Sequence, residues 1–172
     1  VLRRAAREPD TLFVGLDADA RAMSDASRRA ERPTRKGGRD NVIFVVAAAE
    51  ELPAQLTGIS DESTVILPWG SLLSAVLEPG KAAFEGIAAT LRLSGELTVL
   101  VSAQPRDRLD DSFELNDQTV GQLAARYENC GLKVVECRDA TREDVIRYSS
   151  GWGQRLGIPQ HRSAWLFRLQ VR

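Results

Sequence analysis

Three kinds of side chain in this 172-residue sequence stand where a flat, hydroxyl-bearing ligand would meet them. They are acids directly after hydrophobic runs, tryptophans in glycine-flanked turns, and arginines gathered in two distant stretches. Asp17 closes the run Thr11 to Leu16, and an acid at the carboxyl end of a strand is the usual acceptor for both hydroxyls of a ribose. Asp17 and Asp19 also precede a helical pattern, so a helix cap is the plainer alternative. Ala49 and Glu50 follow the run Val42 to Val46, where Glu50 would face an adenine amino group or serve as an ordinary surface carboxylate. Two acids on consecutive strand ends favour a nucleoside more than either does alone.

Trp69 lies in Pro68-Trp69-Gly70-Ser71, a tight strand-to-helix turn, and Trp152 lies in Gly151-Trp152-Gly153 beside Arg155. Core tryptophans rarely occupy such turns. The two rings are either packing plugs or a clamp for a planar base, and stacking contributes about 1–3 kcal/mol per base. Trp165, within the last apolar run, is expected in the core. Cys130 and Cys137 have neither a second cysteine pair nor clustered histidines beside them. No metal site is expected, and a reduced compartment suits the free thiols.

The elements that must position these residues follow from periodicity and breakers. A helix-like opening, Leu2 to Glu8, precedes the first strand, Thr11 to Leu16. Ala18 to Arg32 has helical spacing and stops at Pro33, and Pro33 to Asp40, with Gly37-Gly38, is a loop. Val42 to Val46 and Ser63 to Leu67 are strands, and Ser71 to Leu77 and Lys81 to Leu93 are helices, the second ending at Ser94-Gly95. Then come a strand over Leu97 to Val101, a polar loop over Gln104 to Asp117, and a helix over Gln118 to Asn129. A strand over Leu132 to Cys137, a helix over Thr141 to Tyr148 with a Thr-x-x-Asp start, and a strand over Ser163 to Val171 complete the chain. Strands alternating with helices predict an α/β fold with a mostly parallel sheet. In such sheets ligands bind beyond the strands' carboxyl ends, which gathers Asp17, Asp19, Ala49, Glu50, Pro68, Trp69, Ser71 and Ser102 to Arg106 at one edge.

Composition narrows the class further. With 43% hydrophobic and 27% charged residues, the chain is neither disordered nor a disulfide scaffold, and one domain over residues 1–172 is expected. No apolar run approaches the roughly 20 residues a membrane span needs, and nothing resembles a signal peptide, so a soluble, cytoplasmic protein is expected. The balance of 23 basic against 24 acidic residues conceals segregation. Arg28, Arg29, Arg32, Arg35, Lys36 and Arg39 face the single acid Glu31, and Gly151 to Arg172 holds four arginines and no acid. These are either solvated surfaces or, if folding brings them to one face, a nucleic-acid footprint.

Four stretches together resemble a known family. They are Val14-Gly15-Leu16-Asp17-Ala18-Asp19, Ala49-Glu50-Glu51-Leu52-Pro53, Leu67-Pro68-Trp69-Gly70-Ser71-Leu72-Leu73 and Ser150-Gly151-Trp152-Gly153-Gln154-Arg155-Leu156. The resemblance is to the aminoglycoside-resistance methyltransferases that modify N1 of the decoding-site adenine in 16S ribosomal RNA. It runs through most of the chain, and Pro-Trp-Gly-Ser-Leu-Leu is its most discriminating run. It implies a Rossmann-like class I methyltransferase, mostly parallel with an antiparallel last strand. It further implies that Asp17 holds the ribose of S-adenosylmethionine, that Ala49 and Glu50 meet its adenine, and that Leu67, Pro68 and Ser71 belong to the cofactor site. Trp69 and Trp152 would sandwich the flipped target adenine, with Ser149 or Ser150 nearby. Arg155 and Arg162 would grip RNA phosphates, and Arg35, Lys36 and Arg39 would dock on ribosomal RNA. The sole histidine, His161, reads as a surface or RNA-facing residue rather than a base.

The family's glycine-rich first motif would stand before Val1, so a preceding segment bearing the first strand is expected in the whole protein. The loop Gln104 to Asp117 is shorter and more acidic than the family pattern. The implied reaction is direct methyl transfer to adenine N1 in the assembled 30S subunit, by a monomer. Other readings are a class I methyltransferase for a small molecule or protein, and a non-catalytic Rossmann-like RNA-binding module. Unchanged RNA binding with altered small-substrate turnover on tryptophan loss would mark the first of these, and absent cofactor binding the second.

Overall fold

The computed structural model describes residues 1–104, 107, 115–148, 157–158 and 162–172. They form two compact units, Val1–Leu52 and Pro53–Arg172. In the first, α1 (Leu2–Ala5) leads to β1 (Phe13–Asp17), α2 (Ala20–Ala30) and β2 (Val42–Val46). The two strands pair in parallel, from Phe13 opposite Val42 to Asp17 opposite Val46. Asn41 fixes the entry to this pair: its side-chain amide donates to the carbonyls of Ala5, Glu8 and Thr11 at 3.2, 3.1 and 2.9 Å.

The Asp19 side chain caps α2, accepting from Arg21 N–H at 2.8 Å, and the helix buries Met23 and Ala30 while its arginines face water. After Pro33 the chain makes a short 3-10 turn, Thr34–Lys36, and folds back so that Arg39 N–H donates to Ala30 O at 2.8 Å. Gly38 makes that return possible, because a Cβ there would lie 1.5 Å from Arg32 O.

The second unit holds β3 (Ser60–Ile66), α3 (Gly70–Leu77), α4 (Ala82–Ala89), β4 (Leu91–Val101), α5 (Asp117–Asn129), β5 (Leu132–Asp139), α6 (Arg142–Tyr148) and β6 (Trp165–Val171). Its sheet order is β3-β4-β6-β5. β3 runs parallel to β4, whereas β6 runs antiparallel to both β4 and β5, so β6 is the one reversed strand of this sheet. That is the expected α/β arrangement with an antiparallel last strand.

Alternation along the strands divides the apolar residues between two clusters. Val65, Leu97, Val99, Val101, Phe167 and Leu169 pack with residues of α3, α4 and α5, while Leu100, Leu166, Val145, Ala164 and Leu67 form the second. Tyr127 of α5 centres the larger cluster, stacked on Phe84 with ring centroids 5.2 Å apart and edge-on to Phe167 at 5.3 Å. Its hydroxyl donates to Val76 O at 2.9 Å, and Arg126 Nη1 donates to Leu77 O at 3.2 Å. One helix thus satisfies the carbonyls that the last turn of α3 leaves without intrahelical partners.

The main departure from the sequence-based elements lies between Ala89 and Leu93. The helix expected to reach Leu93 ends at Ala89, and Leu91 to Leu93 open β4, with Leu91 opposite Ser60. Thr90 turns its hydroxyl back to Ile87 O at 2.7 Å and shares a hydrogen bond with Ser63, which ends the helix. Leu91 is buried and Leu93 exposed, although two residues apart on a regular strand they would share a face, so the ladder is irregular here. Ser94, at φ 63°, marks the irregularity inside β4. β3 correspondingly starts at Ser60 rather than Ser63, its polar first residues lying outside the reach of a hydrophobic-run criterion.

The Thr-x-x-Asp start of α6 forms as read. Asp144 Oδ2 accepts from Thr141 N–H at 2.8 Å and from Arg138 at 2.6 Å, and Thr141 Oγ1 accepts from Asp144 N–H at 3.2 Å. Arg138, followed by Thr141, lowers the Asp144 carboxyl to about 2 against the opposing effect of burial.

Two outcomes are expected. Tyr127→Phe strands the Val76 carbonyl in the core and should lower unfolding free energy by about 1–3 kcal/mol in urea titrations. Because its folded-state pKa is depressed, Asp144 contributes stability that is full above the ordinary carboxylate range and lost as pH falls from about 4 toward 2. The stability gap between wild type and Asp144→Asn should therefore be wide near about pH 7 and shrink near about pH 3.

Candidate active site

At the carboxyl end of β3 the backbone reverses within four residues. Leu67 adopts φ 49°, Gly70 adopts φ 60°, and Trp69 between them is extended at φ −143°. A positive φ is costly for leucine, and the following proline disfavours it further by restricting Leu67 to extended conformations. The turn persists because its flanks are fixed: Leu67 N–H donates to Leu100 O at 2.7 Å, and the Leu67 and Pro68 side chains are buried. Trp69 occupies the N-cap position of α3 and is left 78% exposed, the most exposed large hydrophobic residue among those described. Ser71, in the first turn of α3, is exposed as well.

A pocket of about 60 Å³ opens beside the ring, lined by Leu67, Pro68, Trp69, Leu73, Ser102, Asp107 and Arg162. Its polar wall is a closed set of bonds. Arg162 Nε donates to Ser102 Oγ at 2.7 Å and Nη2 to Ser102 O at 3.1 Å, while Nη1 and Nη2 both engage the Asp107 carboxylate. Ser102 Oγ donates onward to Ser163 O, and Asp107 Oδ2 also accepts from Gln104 N–H at 2.9 Å. Arg162, expected from the sequence to be an RNA-phosphate ligand, is therefore only 7% exposed and spends its guanidinium inside the protein. The reason lies in residues the sequence pattern did not pair with it: Ser102 and Asp107 follow β4 and fold over the segment that enters β6. In the sequence Ser102 was marked only by its position just after a strand, and Asp107 only as one acid of the polar loop Gln104 to Asp117.

In the Val1–Leu52 unit, Asp17 ends β1 and remains exposed, and its Oδ1 accepts Asp19 N–H at 2.9 Å. The capping role falls to Asp19, which leaves Asp17 with acceptor capacity for ligand hydroxyls. Ala49 and Glu50 lie on the turn after β2, Ala49 partly buried and Glu50 exposed. Arg35 and Lys36 are exposed together on the 3-10 turn, as docking residues would be. Arg39 differs: it is half-buried, donates through Nη1 to Gly38 O at 2.5 Å, and keeps a buried Nε without a partner among the described residues. Ser149, Ser150, Trp152, Arg155 and His161 lie outside the described residues, as does most of the loop after Gln104.

Parallel strand pairs in each unit, one reversed strand in the second, an acid ending β1 and an aromatic turn ending β3 are features of a Rossmann-like methyltransferase. The family model described as "NpmA: 16S rRNA (adenine(1408)-N(1))-methyltransferase" matches residues 1–171, and the chain belongs to this family. The 16S rRNA (adenine(1408)-N(1))-methyltransferase of Streptoalloteichus hindustanus is 34% identical over 163 residues, covering 92% of this chain and 75% of that protein. Among solved structures, a variant of the same enzyme from Catenulisporales acidiphilia, crystallised with its cosubstrate SAM, superposes with a TM-score of 0.86. It is 28% identical, with 99% of this chain and 79% of that one covered. The aminoglycoside resistance methyltransferase NpmB1 gives a TM-score of 0.82 at 35% identity, covering 100% and 81%.

Since the Trp69 ring is exposed and its turn is held by backbone and flanking side chains, Trp69→Ala should change unfolding free energy by no more than about 0.5 kcal/mol in urea titrations.

Proposed function

We propose that this protein transfers a methyl group from S-adenosylmethionine to N1 of adenine 1408 of 16S rRNA within the assembled 30S subunit, and that this modification confers aminoglycoside resistance. The reading is carried by Trp69, an exposed aromatic ring on a strained strand-to-helix turn of a chain in this family. An exposed ring fixed at its base offers a stacking platform, worth about 1–3 kcal/mol, for a base that has left its helix. Trp152 supplies the opposite face of the clamp, with Ser149 or Ser150 beside the base.

The residues present fit the cofactor. Asp17 retains acceptor capacity for ribose hydroxyls, and Glu50, exposed just beyond β2, is available to an adenine amino group. We propose Asp17, Ala49 and Glu50 as cofactor contacts, and Leu67, Pro68 and Ser71 likewise, on the strength of the family to which the chain belongs. When bound, S-adenosylmethionine supplies an electrophilic methyl group on a sulfonium centre. Adenine N1 carries an in-plane lone pair, so the chain need not remove a proton before attack. Its task is to hold the flipped base in line and keep competing water away. Among the described residues the proposed site offers an aromatic platform, Trp69, and hydrogen-bond acceptors such as Asp17.

Arg35 and Lys36, with Arg155, supply phosphate contacts that give affinity and orientation without reading sequence. Specificity then rests on the shape of the assembled subunit, where the protein works as a monomer in the cytoplasm. Among the described residues no helix is long and apolar enough to cross a membrane.

The test is transfer of labelled methyl to unmethylated 30S subunits by the complete gene product. Incorporation should approach one methyl per subunit and fall by about 100-fold in Trp69→Ala, with cofactor binding retained, because alignment of the base is lost. Asp17→Ala should instead weaken cofactor binding. Short naked RNA should be a poor substrate, and efficient methylation of a small hairpin would contradict dependence on the assembled subunit.

A further inference from the structure

The smaller apolar cluster ties the foot of the Trp69 turn to both ends of another stretch of chain. Leu67, two residues before Trp69, is buried there with Leu100, Val145, Ile158 and Leu166, and the Tyr148 ring packs against the same group. Between Tyr148 and Ile158 the sequence holds Ser149, Ser150, Trp152 and Arg155. Ile158 is 4% exposed, and Gly157 before it takes φ 71°, a left-handed conformation open to glycine at no steric cost. The whole excursion from β5 to β6 is closed at its base, where Ala140 N–H donates to Ala164 O at 2.8 Å.

α6 is set at both ends as well. Arg138 and Thr141 hold Asp144 at its start. Val145 and Tyr148, three residues apart, share the face that meets the cluster, and the Arg147 guanidinium lies over the Tyr148 ring at 5.4 Å from its centroid.

We infer that Tyr148 and Ile158 are positioning residues for methyl transfer, acting through Trp152. Seated in the cluster that buries Leu67, they fix both ends of the Trp152 stretch with respect to the Trp69 turn and so set the gap that a flipped base must fill. This rests on the reading of the two tryptophans as the clamp. The demand on such a footing is strict: a gap wider by about 0.5–1 Å forfeits a quarter to a half of a contact's attraction. Misplacement of a reacting group by about 1 Å can cost about 100-fold in rate.

A purely structural role for the two residues makes a different prediction, since any core truncation of equal cost would then slow the reaction equally. The experiment uses the complete gene product and compares Tyr148→Phe, Tyr148→Ala, Ile158→Val and Ile158→Ala with Leu123→Ala, a truncation in the other cluster. It measures kcat and KM on 30S subunits at saturating cofactor, cofactor binding by calorimetry, and unfolding in urea. Tyr148→Ala and Ile158→Ala should each lower kcat by about tenfold, with KM for subunits and cofactor binding little changed. Tyr148→Phe keeps the ring and should stay near wild type. Ile158→Val should fall between wild type and Ile158→Ala, and it carries the test if the alanine variant does not fold. Leu123→Ala should keep its kcat despite its lost packing. On a Trp152→Ala background the further loss should vanish, because the group being placed is already gone, whereas on an Asp17→Ala background it should persist in full.

The inference is overturned if either Tyr148→Ala or a folded Ile158→Ala keeps the wild-type kcat, if Leu123→Ala loses as much, or if the losses add in full to that of Trp152→Ala. A second readout does not depend on the reaction. In the free protein labelled with fluorotryptophan, the Trp152 fluorine signal, assigned with Trp152→Phe, should shift in Tyr148→Ala and Ile158→Val and stay in place in Leu123→Ala. An unmoved Trp152 signal contradicts the inference. If the wild type does not methylate subunits, the proposed reaction fails, whereas the fluorine shift still decides whether this footing places Trp152.

Discussion

The left-handed backbone of Leu67 is the constraint on which the active-site reading depends. A leucine at φ 49° directly before a proline is unfavourable twice over, and nothing local would maintain it. It is maintained from both sides. Leu67 N–H is bonded to Leu100 O in the centre of the sheet, and the leucine side chain is buried in the second apolar cluster. At the far end of the following helix, Tyr127 and Arg126 hold the carbonyls of Val76 and Leu77. β3 and α3 are both fixed, and of the three residues between them Leu67 and Pro68 are buried while the Trp69 ring is turned to solvent. The exposed ring contributes nothing to the core, and in the proposed reaction it would stack on a base out of its helix.

Much of this was legible in the sequence. Alternating apolar runs and breakers located the strands and helices, and residues after strand ends led to Asp17, Glu50 and Trp69. The capping chemistry of Asp19 and of Thr141 with Asp144 was equally local, being set by residues two or three apart. What periodicity misread was Thr90 to Leu93. An apolar Leu-Arg-Leu run suits a helix end as well as a strand, and the decision came from Ser60 and Ser63 on another strand.

The pocket wall was illegible for the same reason on a larger scale. Arg162 and Asp107 are 55 residues apart, and each alone looks like an ordinary surface charge. Only the register of β6 against β4, with Val101 opposite Trp165, brings their segments together. Arg39 illustrates the converse: a residue in a basic cluster reads as exposed, but the sharp return permitted by Gly38 draws part of it inward. Charge clusters in sequence thus define where a footprint is available, while backbone geometry decides which members face outward.

The central claim, that a chain built around this exposed ring methylates N1 of one adenine in 16S rRNA, is tested most directly by where reverse transcription halts on RNA recovered from treated subunits. Methyl on N1 blocks the Watson–Crick edge, so a single new stop is expected immediately 3′ of adenine 1408, dependent on S-adenosylmethionine. Incorporated methyl without that stop, or stops at other nucleotides, would contradict the account.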